Sequence, residues 1–148
     1  TLNITTDYTS FSVSTYKGAG GGLIYGRGDG GSRHNTSNSG TTTSGGFFGG
    51  STALNDTGDT TVEHISSMFF DSTTPANHRI GYNGNALSLS GASGAGLGSL
   101  IDLTVGAELS SSTFYGNNKI NELIFYPLDN QSNLNAIRTE INTFYSAY

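Results

Sequence analysis

The sequence predicts an all-β chain, antiparallel strands packed as a sandwich and closed by one C-terminal helix. Three observations carry this reading. Gly, Ser, Thr and Asn make up half of the 148 residues, and these residue types populate turns, loops and half-exposed strands. Short apolar runs alternate with polar residues at period two. Only near the end do apolar residues recur at three and four positions, the spacing of a helix face. A long-helix fold is further disfavoured by 22 glycines, because each costs about 1 kcal/mol relative to Ala in a helix interior. Leu, Ile, Val and Phe together lie just above the roughly 20% level associated with disorder. The core is therefore thin, and the length suits one domain.

Phe11, Val13 and Thr15 alternate with Ser12, Ser14 and Tyr16, which predicts a strand with one face on a core. Leu23-Ile24-Tyr25 follows a glycine run and is expected to pair with that strand as a hairpin. From Gly26 to Gly50 the composition predicts long loops around short strands. Val62 to Phe70 reads as a strand, and the apolar face changes along it, so a bulge is expected. Arg79 to Tyr82 and Ala86 to Leu89 flank Asn83-Gly84, a strong hairpin signal because both turn residues take positive φ. Gly91 to Gly98 reads as a loop and Leu103 to Ala107 as a strand. Ile120 to Tyr126 is apolar on both faces apart from Asn121 and Glu122, which predicts the most central strand, ended by Pro127. Finally Leu134, Ile137, Ile141 and Phe144 form a helical stripe, with Asn130 or Ser132 as N-cap.

The charge pattern excludes some function classes. Only 11% of residues are charged and the net charge is −5, so no basic field exists to neutralise phosphates, and nucleic acid is not an expected partner. No apolar stretch approaches the roughly 18 residues that span a bilayer as a helix, so membrane insertion is not expected. The absence of Cys removes thiol chemistry, disulfides and Cys-type zinc. The opening Thr1-Leu2-Asn3-Ile4, without Met or leader, gives the expectation of a processed product or fragment.

Several segments are similar to a known superfamily. They are Val62-Glu63-His64-Ile65 with Met68-Phe69-Phe70, then Ile80-Gly81-Tyr82-Asn83-Gly84, then Leu103-Thr104-Val105-Gly106-Ala107, and above all Lys119 to Tyr126 followed by a helix ending Phe144-Tyr145. Together they resemble concanavalin A-like domains of the laminin G type, as found in phage and marine bacterial surface proteins. The resemblance covers about residues 8 to 148. It implies a two-sheet jelly roll over residues 1–148, the C-terminal piece of a longer chain, and contact with glycan. It also implies strands ahead of Phe11, so the sheet is expected to be completed by an upstream segment or a neighbouring subunit.

Candidate sites follow from residue chemistry. Tyr82, Asn83, Tyr115, Asn117 and Asn118, with Tyr25, combine aromatic rings and amides beside turns, a set suited to neutral polar ligands such as sugars. Sheet-rim packing is the competing reading for the tyrosines. Asp56, Asp59 and Glu63 form the nearest acidic cluster, but their spacing does not place paired carboxylates on one strand face, as a glycosidase of this fold would need. Asn55 to Asp59 reads as a solvated turn in preference to a Ca²⁺ loop. Arg27-Gly28-Asp29 spells an integrin-binding tripeptide of low specificity. His34, His64 and His78 are not spaced for a metal and read as surface or sheet-edge residues. No G-x-S-x-G elbow supports a serine nucleophile. Asn3, Asn35, Asn55 and Asn130 open glycosylation sequons.

The resulting expectation is a non-enzymatic structural or adhesion module of a virion, a capsid-decoration or fibre domain that engages glycan, without metal or cofactor. Its expected partners are neighbouring subunits of the assembly, as a homo-oligomer. The alternative is a carbohydrate-binding module of a secreted bacterial protein. Either places the chain on a virion surface or outside the cell.

Overall fold

A computed structural model of the chain describes residues 3–18, 23–26, 33–38, 42–48, 52–57, 60–74, 77–87, 102–106 and 117–148. Among them the strands are β1 (Tyr8–Tyr16), β2 (Leu23–Gly26), β3 (Arg33–Asn38), β4 (Thr42–Phe48), β5 (Thr52–Thr57), β6 (His64–Phe70), β7 (Arg79–Tyr82), β8 (Thr104–Val105) and β9 (Asn118–Tyr126), followed by a helix, α1 (Leu134–Tyr145). They build two antiparallel sheets. One has the order β7-β6-β1-β9 and the other β5-β4-β3-β2-β8. The expectation of two antiparallel sheets and a C-terminal helix holds.

The four-stranded sheet is covered on both faces. Tyr8, Met68, Phe70 and Ile80 share one cluster with Ile24 and Tyr25 of β2, which joins the two sheets. Phe11, Val13 and Ile65 share another with Leu134 and Ile141 of α1. This explains why every residue of β1 and β6 is buried, although the alternation in β1 predicts only one buried face. Ser12 and Ser14 lie beneath the second sheet instead of facing water. The joining cluster is aromatic at one end, with Tyr8 stacked on Phe70 at 5.0 Å and Tyr25 edge-on to Phe125 at 4.9 Å. One polar pair lies within it, the 2.6 Å hydrogen bond between Ser10 Oγ and the Tyr25 hydroxyl.

Several expectations are corrected. β2 does not form a hairpin with β1; it pairs with β3 and β8, so the chain changes sheet between them. The polar stretch after Gly26 contains β3 and β4, paired in register from Arg33 opposite Phe47 to Asn38 opposite Thr42. Among the described strands β9 lies at the edge of its sheet, beside β1, and not at its centre. Its two apolar faces arise because it is sandwiched between the other sheet and the helix. β1 pairs with β6 on one side and β9 on the other, so the open edge expected beside the first strand is absent.

The bulge also falls elsewhere. β6 pairs with β1 without interruption, whereas β9 shifts register between Val13 and Ser14, which face Glu122 and Ile120 and leave Asn121 unopposed. One extra residue reverses the faces on either side. Ile120 and Leu123, three apart, thereby both reach the inter-sheet cluster, while Ile124 and Tyr126 reach the helix. The Asn121 side-chain amide donates to the Glu63 carboxylate, which fixes the bulge.

The Asn83-Gly84 turn forms, with Asn85 N–H donating to the Tyr82 carbonyl at 2.9 Å, but of the two residues expected at positive φ only Asn83, at 49°, takes it. Ala86 and Leu87 are not in a strand, and Ser88 and Leu89 lie outside the described residues. Asn83 instead continues the pairing with β6, giving its N–H to the Ile65 carbonyl at 2.7 Å and accepting the Ile65 N–H on Oδ1 at 2.8 Å. The helix is preceded by a 3₁₀ turn, Gln131–Asn133, and neither Asn130 nor Asn133 caps with its side chain. Asp129 serves that end, its Oδ1 accepting the Gln131 N–H at 2.8 Å. The chain after α1 turns at Ser146 in the left-handed region, and the Asn142 side chain holds both backbone groups of Tyr148, at 2.7 and 2.9 Å.

Candidate functional site

The described residues expected to bind sugar do not converge. Tyr82 is 8% exposed and stacks on His64 at 5.3 Å, and Asn83 is committed to β6. Asn117 is exposed at the start of β9 and accepts the Lys17 N–H on its carbonyl at 2.7 Å. Asn118 stands opposite Tyr16. Both groups lie at the same end of the four-stranded sheet, but β6 and β1 separate them, three strand spacings or about 14 Å. Tyr115 lies outside the described residues. Tyr25 is fully buried, its hydroxyl held by Ser10.

The other candidates are structural or out of view. Asp56 belongs to β5, opposite Ser44, so the turn reading of Asn55 to Thr57 is corrected; Asp59 and Arg27-Gly28-Asp29 lie outside the described residues. His34 is in β3. His64 and His78 are buried, not at the surface. His64 Nδ1 donates to the Val62 carbonyl at 3.0 Å and its Nε2 faces Ser14 Oγ at 3.5 Å. Both partners of this Ser–His pair are completely buried, so no substrate reaches them. No group of metal-ligating residues exists among the described residues, and none of the described helices is long and apolar enough to cross a membrane.

A site that the candidate residues do not include lies between β9 and α1. There the outer surface of the sheet edge and the helix enclose a cleft of about 320 Å³. β9 supplies Glu122, Ile124 and Tyr126 at alternate positions, the face opposite the second sheet. α1 supplies Ile137 and Ile141 as an apolar floor, with Glu140, Phe144 and Tyr145 one turn apart on the same face. The helix period brings these positions together. Phe144 is 81% exposed, and its ring meets that of Tyr145 edge-on at 4.8 Å.

Among the described residues the electrostatics of the cleft are one-signed, since its charged lining groups are Glu122 and Glu140. Loss of solvent around the Tyr145 phenol, then the negative charge of nearby Glu122 and the hydrogen bond the phenol gives that carboxylate, and last the charge of Glu63, raise its pKa above the ordinary value. Arg138, on the same helix, faces away. Its Nε donates to Ser67 Oγ at 2.8 Å and Nη1 to the Asn85 carbonyl at 2.6 Å. A second cleft, about 310 Å³ between residues 3–6 and Phe125 and Pro127, has no charged lining group among the described residues. The sequence did hold a signal for the first cleft. Glu122 interrupts an apolar strand, and Glu140 and Phe144 adjoin the helical stripe, but only the packing of α1 across the β9 edge shows that these elements face each other.

No protein-family model matches the chain, and no curated protein is significantly similar to it. Among solved structures, it is similar to a Trypanosoma rangeli sialidase in complex with 2,3-difluorosialic acid, as a covalent intermediate, with a TM-score of 0.62 and 14% identity. The match covers 93% of this chain and 23% of the sialidase; the chain thus spans about a quarter of that protein. This comparison corrects the expectation of a non-enzymatic module, because the solved chain that shares the architecture belongs to an enzyme. At this identity the likeness shows a β-rich fold alone, and fold does not deliver function.

Proposed function

We propose that the domain recognises carbohydrate at the surface of a virion or of a secreted bacterial assembly, on a concanavalin A-like jelly-roll framework, and that the β9–α1 cleft is its binding site. The observation that carries this is the convergence of exposed Phe144 and Glu140 with half-buried Tyr145 and Glu122 on one concave surface. Aromatic rings offer flat apolar faces to the C–H side of a pyranose, and carboxylates accept two or more hydroxyl hydrogen bonds each. The volume lies at the small end of ligand sites, about 300–1,000 Å³, which suits a short saccharide terminus. The sparse charge and polar overall composition support a place among neighbouring copies in an extracellular or virion assembly.

A saccharide panel titrated calorimetrically tests the site. Phe144→Ala and Tyr145→Ala are expected to weaken the best ligand at least about tenfold, roughly 1.4 kcal/mol. Binding that both variants leave intact would move recognition away from the cleft. A second reading, hydrolysis in the same cleft, is favoured by carboxylates on both its walls, the pattern by which most glycosidases act. Sugar release that disappears in both Glu122→Gln and Glu140→Gln would support it.

A further inference from the structure

We infer that the saccharide taken by the β9–α1 cleft carries a free amino group and that Glu122 is the residue that reads its ammonium. This deepens the proposed function and rests on it. Glu122 projects from β9 beside Ile124 and Tyr126 and is half-buried, whereas Glu140 is solvent-exposed on the helix. A carboxylate partly withdrawn from water is stabilised by a counter-charge more than an exposed one is. Among the described residues, none that lines the cleft is basic. Lys119 is exposed outside it, and Arg138 is spent on Ser67 and Asn85.

The rings add to the same preference. Tyr126, Phe144 and Tyr145 line the cleft, and the face of an aromatic ring attracts a cation. Glu63 lies close enough to act on Tyr145 together with Glu122, so the negative field extends beyond the cleft wall. An acidic sugar would meet two like charges, and a neutral one would leave Glu122 without a counter-charge. An amino sugar supplies the counter-charge on a ring that stacks. The chain's net charge of −5 favours its approach as well.

The test uses the whole 148-residue chain and short oligomers of glucosamine, of N-acetylglucosamine and of glucose, titrated calorimetrically at about pH 6, where an amine is protonated. The glucosamine oligomer is expected to bind at least about tenfold more tightly than its acetylated counterpart, with the advantage shrinking as salt screens it. In Glu122→Gln that affinity ratio is expected to fall to about one, and Glu122→Asp to restore part of it. A melting curve checks that each variant is folded. Equal binding of all three oligomers would overturn the amine inference and leave the cleft reading standing. A preference lost in Glu140→Gln but kept in Glu122→Gln would overturn the assignment to Glu122. Glucosamine binding that Phe144→Ala does not weaken would reduce the effect to surface charge and overturn the inference. If none of the oligomers binds, the amine inference fails, and a wider saccharide panel with no ligand defeats the cleft reading too.

Discussion

Arg138 occupies a place in an apolar stripe, four residues after Leu134 and three before Ile141, and is 1% exposed. Its guanidinium crosses from the helix to β6 and β7, where a Cβ on Gly81 would collide with Nη2. The glycine in Arg79-Ile80-Gly81-Tyr82 therefore makes room for a cation, not for a turn. Replacing Arg138 with Met keeps the stem but leaves Ser67 Oγ and the Asn85 carbonyl without this donor, at an expected cost of about 2–3 kcal/mol. Gly81→Ala should cost about 1–3 kcal/mol through overpacking. The informative result is their coupling, because a Cβ added at position 81 loses its main obstacle once the guanidinium is gone. The double variant should be more stable than the sum of the two losses by about 1 kcal/mol or more. Urea denaturation of the four proteins measures this, and strict additivity would show that the two residues do not meet. Nothing in the sequence distinguishes this Arg from a solvated one except its register in the stripe, since its partners lie 53 and 71 positions away.

At the scale of elements, the α1 stripe divides between two tasks. Ile141 is 7% exposed and packs on the sheet, whereas Phe144 is 81% exposed, although the period alone assigns both to the core. Ile141→Asp is expected to destabilise the fold by about 3 kcal/mol or more by burying an unpaired carboxylate. Phe144→Ala should change stability by no more than about 0.5 kcal/mol, as surface substitutions do. Equal losses in a thermal or chemical melt would mean that Phe144 is a packing residue and weaken the cleft reading. Local signals located this helix, the β1 and β9 strands and the Asn83-Gly84 turn, because periodicity and turn chemistry act within a few residues. Sheet membership was not legible. β2 resembles a hairpin partner of β1 and joins another sheet, and β9 looks central and lies at an edge, since apolar faces record what covers a strand and not its rank in the sheet. The cleft was illegible for the same reason: β9 and α1 acquire a shared surface only through the three-layer stacking.

The behaviour of the whole molecule with pH follows from four buried or tightly bonded groups. Burial lowers the His78 imidazole from its ordinary 6.5, more than the Asp71 carbonyl and charge raise it; the ring stacks on Phe70 at 4.8 Å and donates from Nε2 to that carbonyl at 2.9 Å. The unfolded chain therefore takes up this proton first, and stability is lost as pH falls below about 6.5. Burial raises the Asp71 carboxyl, but hydrogen bonds from Asn77, Thr73 and Thr74 outweigh it and hold the group well below its ordinary 3.8. Its contribution is present above that value and lost as pH falls through it. Burial raises both Tyr8 and Tyr25 above 10.0, Tyr25 doing so despite the bonds from Ser10 and Tyr8. For these phenols the unfolded chain ionises first, so stability is present below about pH 10 and declines above it. The denaturation midpoint is expected to hold a plateau between about pH 7 and 9 and to fall on both sides. His78→Gln should remove the first acid step, Asp71→Asn the second, and Tyr25→Phe should flatten the alkaline limb. A midpoint that rises on going from about pH 7 to 5 would contradict the burial of His78 and, with it, the packing of the β6–β7 connection onto the sheet.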